Sequence, residues 1–375
     1  MLKILFVISN LNHQGPIAQL FYLLKYLDLS KFKIFIITTS QINFDSSMHE
    51  EFKKLGIEVL DLKFSKMCSI LKSGNKIQSF IDFNKINIVQ SYGFTTDIIV
   101  GNLKNVLKVT SVRNTLLLNY KFVYNPIFGT VLGYINLYYI RKFDFVISCS
   151  LSIKNYLNSL GIFSHSILNS LDMDLVSYKN FDKFNLELKK KFQIYSFEKN
   201  FITVSSKRKG KNVEFLIKSF LTTCFSQYSL LIVGYVESEV VKKYEKFNNI
   251  FFLGYVNNIS FFLKSSDFFI SASYHEGMPN AVLESLAVGT PVILSNIPSH
   301  KEIFNMALMD IGGIFENDNQ EDFKNVIEQV INLDYLSLSR NCNDFILEYF
   351  NAEKMAKNYE LFYSGIENKG IISKG

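Results

Sequence analysis

The sequence predicts an α/β protein of two doubly wound, Rossmann-like domains whose parallel sheets face each other across a cleft. Three observations carry that expectation. Short β-branched and aromatic runs alternate with longer amphipathic stretches along the 375-residue chain. Most of the runs are apolar throughout rather than alternating, as strands buried on both faces are. The pattern lapses once near the middle and then restarts, and the length suits two cores of roughly 150 to 200 residues.

In the first half the runs are Lys3 to Ile8, Lys33 to Thr38, Gly56 to Leu60, Ile86 to Gln90, Leu107 to Val112, Phe143 to Ser148 and Ser166 to Leu168. Stretches such as Ile17 to Leu29 and Leu151 to Leu160 repeat apolar residues at helical spacing, so they supply crossover helices and make the strands parallel. Val176 to Ser196 is polar, Lys-rich and without strand character. The boundary is therefore expected at 178/179. Beyond it come Phe201 to Ser205, Ser229 to Val233, Ile250 to Leu253, Phe268 to Ser271, Pro291 to Leu294 and Gly313 to Phe315. The C-terminal segment 352–375 opens as an amphipathic helix expected to cross back onto the first domain and form part of a hinge.

Composition excludes several classes. Apolar residues are 48% of the chain, with 36 Phe and 20 Tyr, so a packed core is expected and disorder is not. Cys68, Cys149, Cys224 and Cys342 show no CxxC spacing, which points to reduced core thiols rather than a disulfide framework or zinc site. The N-terminal apolar run is too short for a signal peptide, and a cytoplasmic location is expected. Residues 1–180 hold 19 Lys and Arg against 11 Asp and Glu, so the basic half is expected to face something anionic. No nucleic-acid-binding module is present, and no G-x-G-x-x-G follows a strand.

The most informative segment is FFISASYHEGMPNAVLESLAVGTPVILS, residues 268–295. A buried strand ends in a loop with His275, Glu276 and Gly277, Pro279 stands at an expected first helical position, and Gly289 ends the helix. The helix N-terminus then opens at the cleft end of the sheet, where its free N–H groups and dipole suit a diphosphate. Glu276 in the loop and Glu284 in the second turn can reach one ligand, and a carboxylate accepts two hydrogen bonds from a vicinal diol such as a ribose. An isolated E-x7-E is more often a pair of solvated helix charges.

Here the surroundings decide. EGMPNAVLESLAVGTP at 276–291, with KNVEFLIKSF at 211–220, LLIVG at 230–234 and ILNSLD at 167–172, resembles glycosyltransferase family 4, of GT-B fold and retaining stereochemistry. The resemblance implies that Glu284 binds the ribose hydroxyls and Glu276 contacts the transferred sugar. Gly277, Met278, Pro279, Asn280 and Ala281 line the donor, and Lys211 meets the phosphates. It implies transfer from a nucleoside-diphosphate sugar, hexosyl or N-acetylhexosaminyl, to a glycan or lipid-linked acceptor of capsule, O-antigen or lipooligosaccharide. No metal and no further cofactor are expected. Asp172-Met173-Asp174, formally D-x-D, reads as a turn.

The sequence also departs from that family. Ser206 stands where an Arg is usual, and Arg208 or Lys207 is expected to substitute for it. Gly15, Gly234 and Tyr255 are further donor-side candidates. Gln90, Ser91 and Tyr92 replace the His common after the fourth strand, and His13, Gln90, Tyr92 and Arg113 are acceptor-side candidates. Residues 122–140 carry no charge and are bracketed by Lys121 and by Arg141-Lys142. Asn125, Pro126 and Asn136 make a poor membrane span, leaving a buried crossover helix or an aromatic face resting peripherally on the inner surface of an anionic membrane. Two other functions stay open: a catalytically degenerate scaffold of a polysaccharide-assembly complex and a GT-B sugar-nucleotide epimerase.

Overall fold

The computed structural model describes residues 1–42, 47–176, 197–206 and 209–372. The chain forms two compact units, Met1–Ser170 with Ala352–Gly375, and Leu171–Asn351. In the N-terminal unit seven parallel strands take the order β3-β2-β1-β4-β5-β6-β7. They are β1 Leu2–Ile8, β2 Phe32–Ser40, β3 Glu58–Phe64, β4 Ile88–Ser91, β5 Leu107–Val112, β6 Phe145–Ser148 and β7 His165–Ser166. In the C-terminal unit six take the order β10-β9-β8-β11-β12-β13. These are β8 Lys199–Ser205, β9 Tyr228–Gly234, β10 Ile250–Gly254, β11 Phe268–Ser271, β12 Val292–Ser295 and β13 Gly312–Phe315.

Each expected run overlaps one strand, though at β7 only Ser166 is shared, and the reason is visible in burial. The central strands β1, β4, β11 and β12 are covered on both faces, so almost every position is apolar or a small hydroxyl. Both sheets grow outward from their first strand and then reverse, so that β1 neighbours β4 and β8 neighbours β11. At such a reversal the loops on the carboxyl side diverge and leave room for a ligand.

The units divide at Ser170/Leu171 rather than at 178/179. The Leu171 N–H already donates to the Phe350 carbonyl at 2.8 Å, and Leu171 bridges Asn351, so the chain joins the second unit there. Apart from Val176, the polar stretch taken for the boundary lies outside the described residues. The Asp172 carboxylate accepts the Asp174 N–H at 3.2 Å, an Asx turn that leads into a helical turn, Met173–Val176.

The final helix, Ala352–Ile372, is part of the N-terminal core. Met355, Ala356, Tyr359, Tyr363 and Ile366 pack among Leu20, Leu23 and Leu24 of the helix Gly15–Tyr26 and the strands beside it. Tyr363, wholly buried, donates its hydroxyl at 2.6 Å to Oε1 of Gln90 on β4. The helix Pro126–Ile140 corrects the reading of a buried crossover: Ile127, Val131, Tyr134 and Tyr138 are exposed along one side. Among the described residues no helix is long and apolar enough to cross a membrane.

Tyr363→Phe removes the donor and leaves the Gln90 carbonyl unsatisfied in a core without water access. We expect a loss of about 1 to 3 kcal/mol in urea unfolding. A change within a few tenths would mean that the bond contributes nothing to the attachment of this helix.

Candidate functional site

The C-terminal unit gathers its polar groups at the carboxyl ends of β8 and β11, the strands flanking the reversal. After β8 the chain makes a short 3-10 turn, Lys209–Lys211, before the helix Val213–Phe220. After β11 it runs through Ser273, Tyr274, His275 and Glu276. The two loops are tied together, since the Tyr274 N–H donates to the Gly210 carbonyl at 2.9 Å. A side chain at 210 would displace the His275 ring, since an added Cβ would lie 2.8 Å from its Nε2.

That clamp brings Lys211 to Glu276, with Nζ 2.6 Å from Oε1 and side chains 21% and 12% exposed. The same carboxylate oxygen accepts the Ser273 hydroxyl at 2.9 Å. Burial pushes the Glu276 carboxyl upward, but the Lys211 charge and hydrogen bond, helped by Ser273, outweigh it and hold the group below its usual range. Glu284 has no such compensation. Burial raises it to about 7, with Lys211 opposing. Lys211 is thus felt by both carboxylates of the E-x7-E pair.

The helix carrying Glu284 is Asn280–Ala287, and Pro279 is its cap rather than its first residue, because its ψ of 99° is still extended. Gly289, at φ 76°, closes the helix in a left-handed conformation. Met278 is 6% exposed and points inward, which leaves its backbone for a ligand. Gly277 is buried, while Asn280 and Ala281 are half-buried at the start of the helix. Ser206 lies half-buried just past β8. Gly234 ends β9 at φ 96°, and Tyr255, just past β10, is 77% exposed. Arg208 and Lys207 lie outside the described residues.

Sequence reasoning missed His300. It is wholly buried near the start of the helix Pro298–Met306, and its Nδ1 lies 2.8 Å from the Ser295 carbonyl, an acceptor only. Nδ1 therefore carries the proton, and Nε2 has no hydrogen-bond partner among the described residues. Burial lowers the ring to about 4, and Glu276 and Lys211 act on it in opposite senses. Ser295 also donates its hydroxyl to the Ser273 carbonyl at 2.7 Å, linking the β12 end to the Glu276 loop. A histidine two positions after a helix-opening proline, just past a buried strand, was the available signal. Among the described residues no group of three or more His, Cys, Asp or Glu could hold a metal ion.

The remaining candidates lie in the N-terminal unit. The donor-side Gly15 is exposed at the start of the helix Gly15–Tyr26, and the acceptor-side His13 is exposed in the loop after β1. Gln90 and Tyr92 are not surface contacts. Gln90 is 0% exposed, donating to Ser111 at 2.9 Å and Tyr92 at 3.2 Å while accepting from Tyr363. Arg113 lies 4.8 Å over the Tyr92 ring and donates at 2.7 Å to Asn169, so it too serves the interior, though half-buried.

The fold these two units define is GT-B. Over 97% of its length the chain superposes on the whole of Anabaena Alr3699/HepE in complex with UDP-glucose, with a TM-score of 0.78 at 14% identity. Residues 185–346 match the family model described as glycosyl transferases group 1. The O-antigen biosynthesis glycosyltransferase WclY of Escherichia coli is 23% identical over 377 residues, 97% of this chain and 99% of that one. The UDP-Gal:alpha-D-GlcNAc-diphosphoundecaprenol alpha-1,3-galactosyltransferase of the same organism is 33% identical over 123 residues, only 31% of this chain and 30% of that protein.

His300 and Glu284 make opposite demands on pH. The histidine, at about 4 against an ordinary 6.5, contributes stability that is present above 6.5 and lost as pH falls toward 4. Glu284, at about 7 against 4.5, contributes stability that is present below 4.5 and lost as pH rises through 7. Between pH 4.5 and 6.5, His300→Asn should therefore tilt unfolding stability against pH downward relative to the wild type. Glu284→Gln should tilt it upward, each by up to about 1.4 kcal/mol per pH unit. Urea titrations across this window in which both variants track the wild type would refute the assignment.

Proposed function

We propose that the protein is a retaining glycosyltransferase that moves a hexosyl or N-acetylhexosaminyl group from a nucleoside-diphosphate sugar to a glycan or lipid-linked acceptor of bacterial surface polysaccharide. The observation that carries this reading is the Lys211–Glu276 pair, with Glu284 in the same field, above the reversal of the strand order. The cation and the helix start at Asn280 suit a diphosphate, and the two carboxylates suit the hydroxyl-bearing ends of the same molecule. The match to glycosyl transferases group 1 over the unit that holds these residues favours it further. The UDP-glucose bound by the similar Anabaena protein makes UDP-sugars the first donors to try.

In this mechanism Glu284 accepts hydrogen bonds from the ribose diol and the backbone from Gly277 to Ala281 borders the diphosphate. Glu276 is a poor nucleophile, being charge-neutralised by Lys211 and hydrogen-bonded to Ser273. A double displacement also needs two carboxyl groups about 5 Å apart with one protonated to act as acid. Front-face substitution fits these constraints better. The bond from the anomeric carbon to the diphosphate oxygen breaks, the acceptor oxygen bonds to that carbon on the same face, and the acceptor proton passes to the departing diphosphate. Lys211 stabilises the charge that develops on the leaving group. No metal enters this scheme.

Calorimetry against UDP-, GDP- and ADP-sugars tests the reading. One nucleotide should bind, and Glu284→Ala should abolish the signal. Affinity should strengthen as pH rises through about 7, because the ionised carboxylate is the better diol acceptor. Lys211→Ala should retain folding while lowering kcat roughly 100-fold to 1000-fold. Inversion at the anomeric carbon, read by NMR of the product, would exclude the front-face route. Binding without turnover on any acceptor would favour the scaffold reading.

A further inference from the structure

We propose that the helical pair Leu116–Val123 and Pro126–Ile140 seats the N-terminal unit on an anionic phospholipid bilayer, lying flat against its surface. The pair is built from the inside. An added Cβ at Gly129 would fall 2.3 Å from the Tyr120 carbonyl oxygen, and one at Gly133 would fall 2.7 Å from Leu117, so the helices touch backbone to backbone. Asn136, 1% exposed, donates to Asp97 at 3.0 Å and accepts from the Tyr120 hydroxyl at 3.0 Å. The inward face is therefore specified, and what points outward is fixed by it.

What points outward is apolar. Ile127 is 82% exposed, Tyr134 60% and Tyr138 59%, with Phe128 and Val131 beside them. Val131, Tyr134, Ile135, Tyr138 and Tyr139 line a shallow groove of about 600 Å³. A contiguous exposed apolar face marks an interaction site, and tyrosines with flanking cations are the side chains of a membrane interface.

Charge selects the occupant. From Ile98 through Phe143 the chain has no Asp or Glu and six cations, of which Arg113 is engaged in the interior with Asn169 and Tyr92, while Lys121, Arg141 and Lys142 bracket the second helix. Lys142 lies 4.6 Å over the rings of both Tyr138 and Tyr139. A second copy docked here about a two-fold axis would present the same segment, which has no acid to pair Lys121, Arg141 and Lys142. An anionic headgroup layer neutralises all of them. A 15-residue helix is about 22 Å long, too short to span the hydrocarbon core.

The chain has no tryptophan, so Tyr134→Trp places a single reporter on the outer face. With vesicles of phosphatidylcholine containing phosphatidylglycerol we expect blue-shifted emission and co-flotation, both absent with phosphatidylcholine alone. Lys121→Ser with Arg141→Ser should weaken flotation about fivefold per cation removed, and Ile127→Ser with Val131→Ser should abolish it while leaving the thermal unfolding midpoint near that of the wild type. Should the apolar double variant not fold, the cation variant and the reporter carry the test. No emission shift with anionic vesicles, or flotation unchanged in the cation variant, would overturn the proposal. So would a concentration-dependent dimer, seen by light scattering, that the apolar variant dissolves.

Discussion

A lysine and a glutamate held at 2.6 Å over the reversal of a parallel sheet organise the C-terminal unit's polar end. Removing two charges from water is expensive, and such a pair is maintained only where further hydrogen bonds satisfy it. Ser273 supplies one for the carboxylate, and Ser273 is itself held by Ser295, whose carbonyl fixes the His300 ring. The chain of contacts runs across the ends of β11 and β12 and ties the loop after β11 to the end of β12. Displacing Lys211 from Glu276 would leave a shielded carboxylate without its cation, so an incoming anion has to share the lysine rather than take it. Glu284, raised by burial and only partly offset by the same lysine, is the group left wanting a hydrogen-bond donor.

The strands were legible because burial on both faces forbids polar side chains, and that prohibition writes continuous runs such as LKILFVI into the chain. The helix before β12 was legible to within one residue, since proline and glycine punctuate its ends. His300 was not, because its environment comes from β12 and from the loop carrying Glu276, and no spacing rule encodes that meeting. The interior bonding of Gln90 and Tyr92 was not legible for a related reason. A glutamine in a strand looks like a surface group until a tyrosine 273 residues later is found to satisfy it. The aromatic stretch 122–140 was ambiguous because composition reports apolarity and not direction, and direction here is set by Gly129, Gly133 and Asn136.

The N-terminal unit's buried polar groups share a design. Asp97, raised by burial to about 6, accepts hydrogen bonds from Ser91, Thr110 and Asn136, so two strands and a distant helix depend on one carboxylate. Gln90 joins β4, β5 and the final helix in the same way. Networks of this type cost more than apolar packing when a member is missing, and in return they admit few alternative arrangements.

The return of the final helix has a consequence for biosynthesis. The N-terminal unit's core includes Tyr359, Tyr363 and Ile366, which are translated after the whole of the C-terminal unit. At about 5 to 20 residues per second, roughly 14 to 55 seconds separate the appearance of Gln90 from that of the tyrosine that completes it. For nearly all of that interval the second unit, which ends at Asn351, is being synthesised while the first waits open on the ribosome, its groove against the helix Gly15–Tyr26 unfilled. The earlier-made half of this protein is therefore the later to finish, and it is the half that nascent-chain chaperones would need to guard.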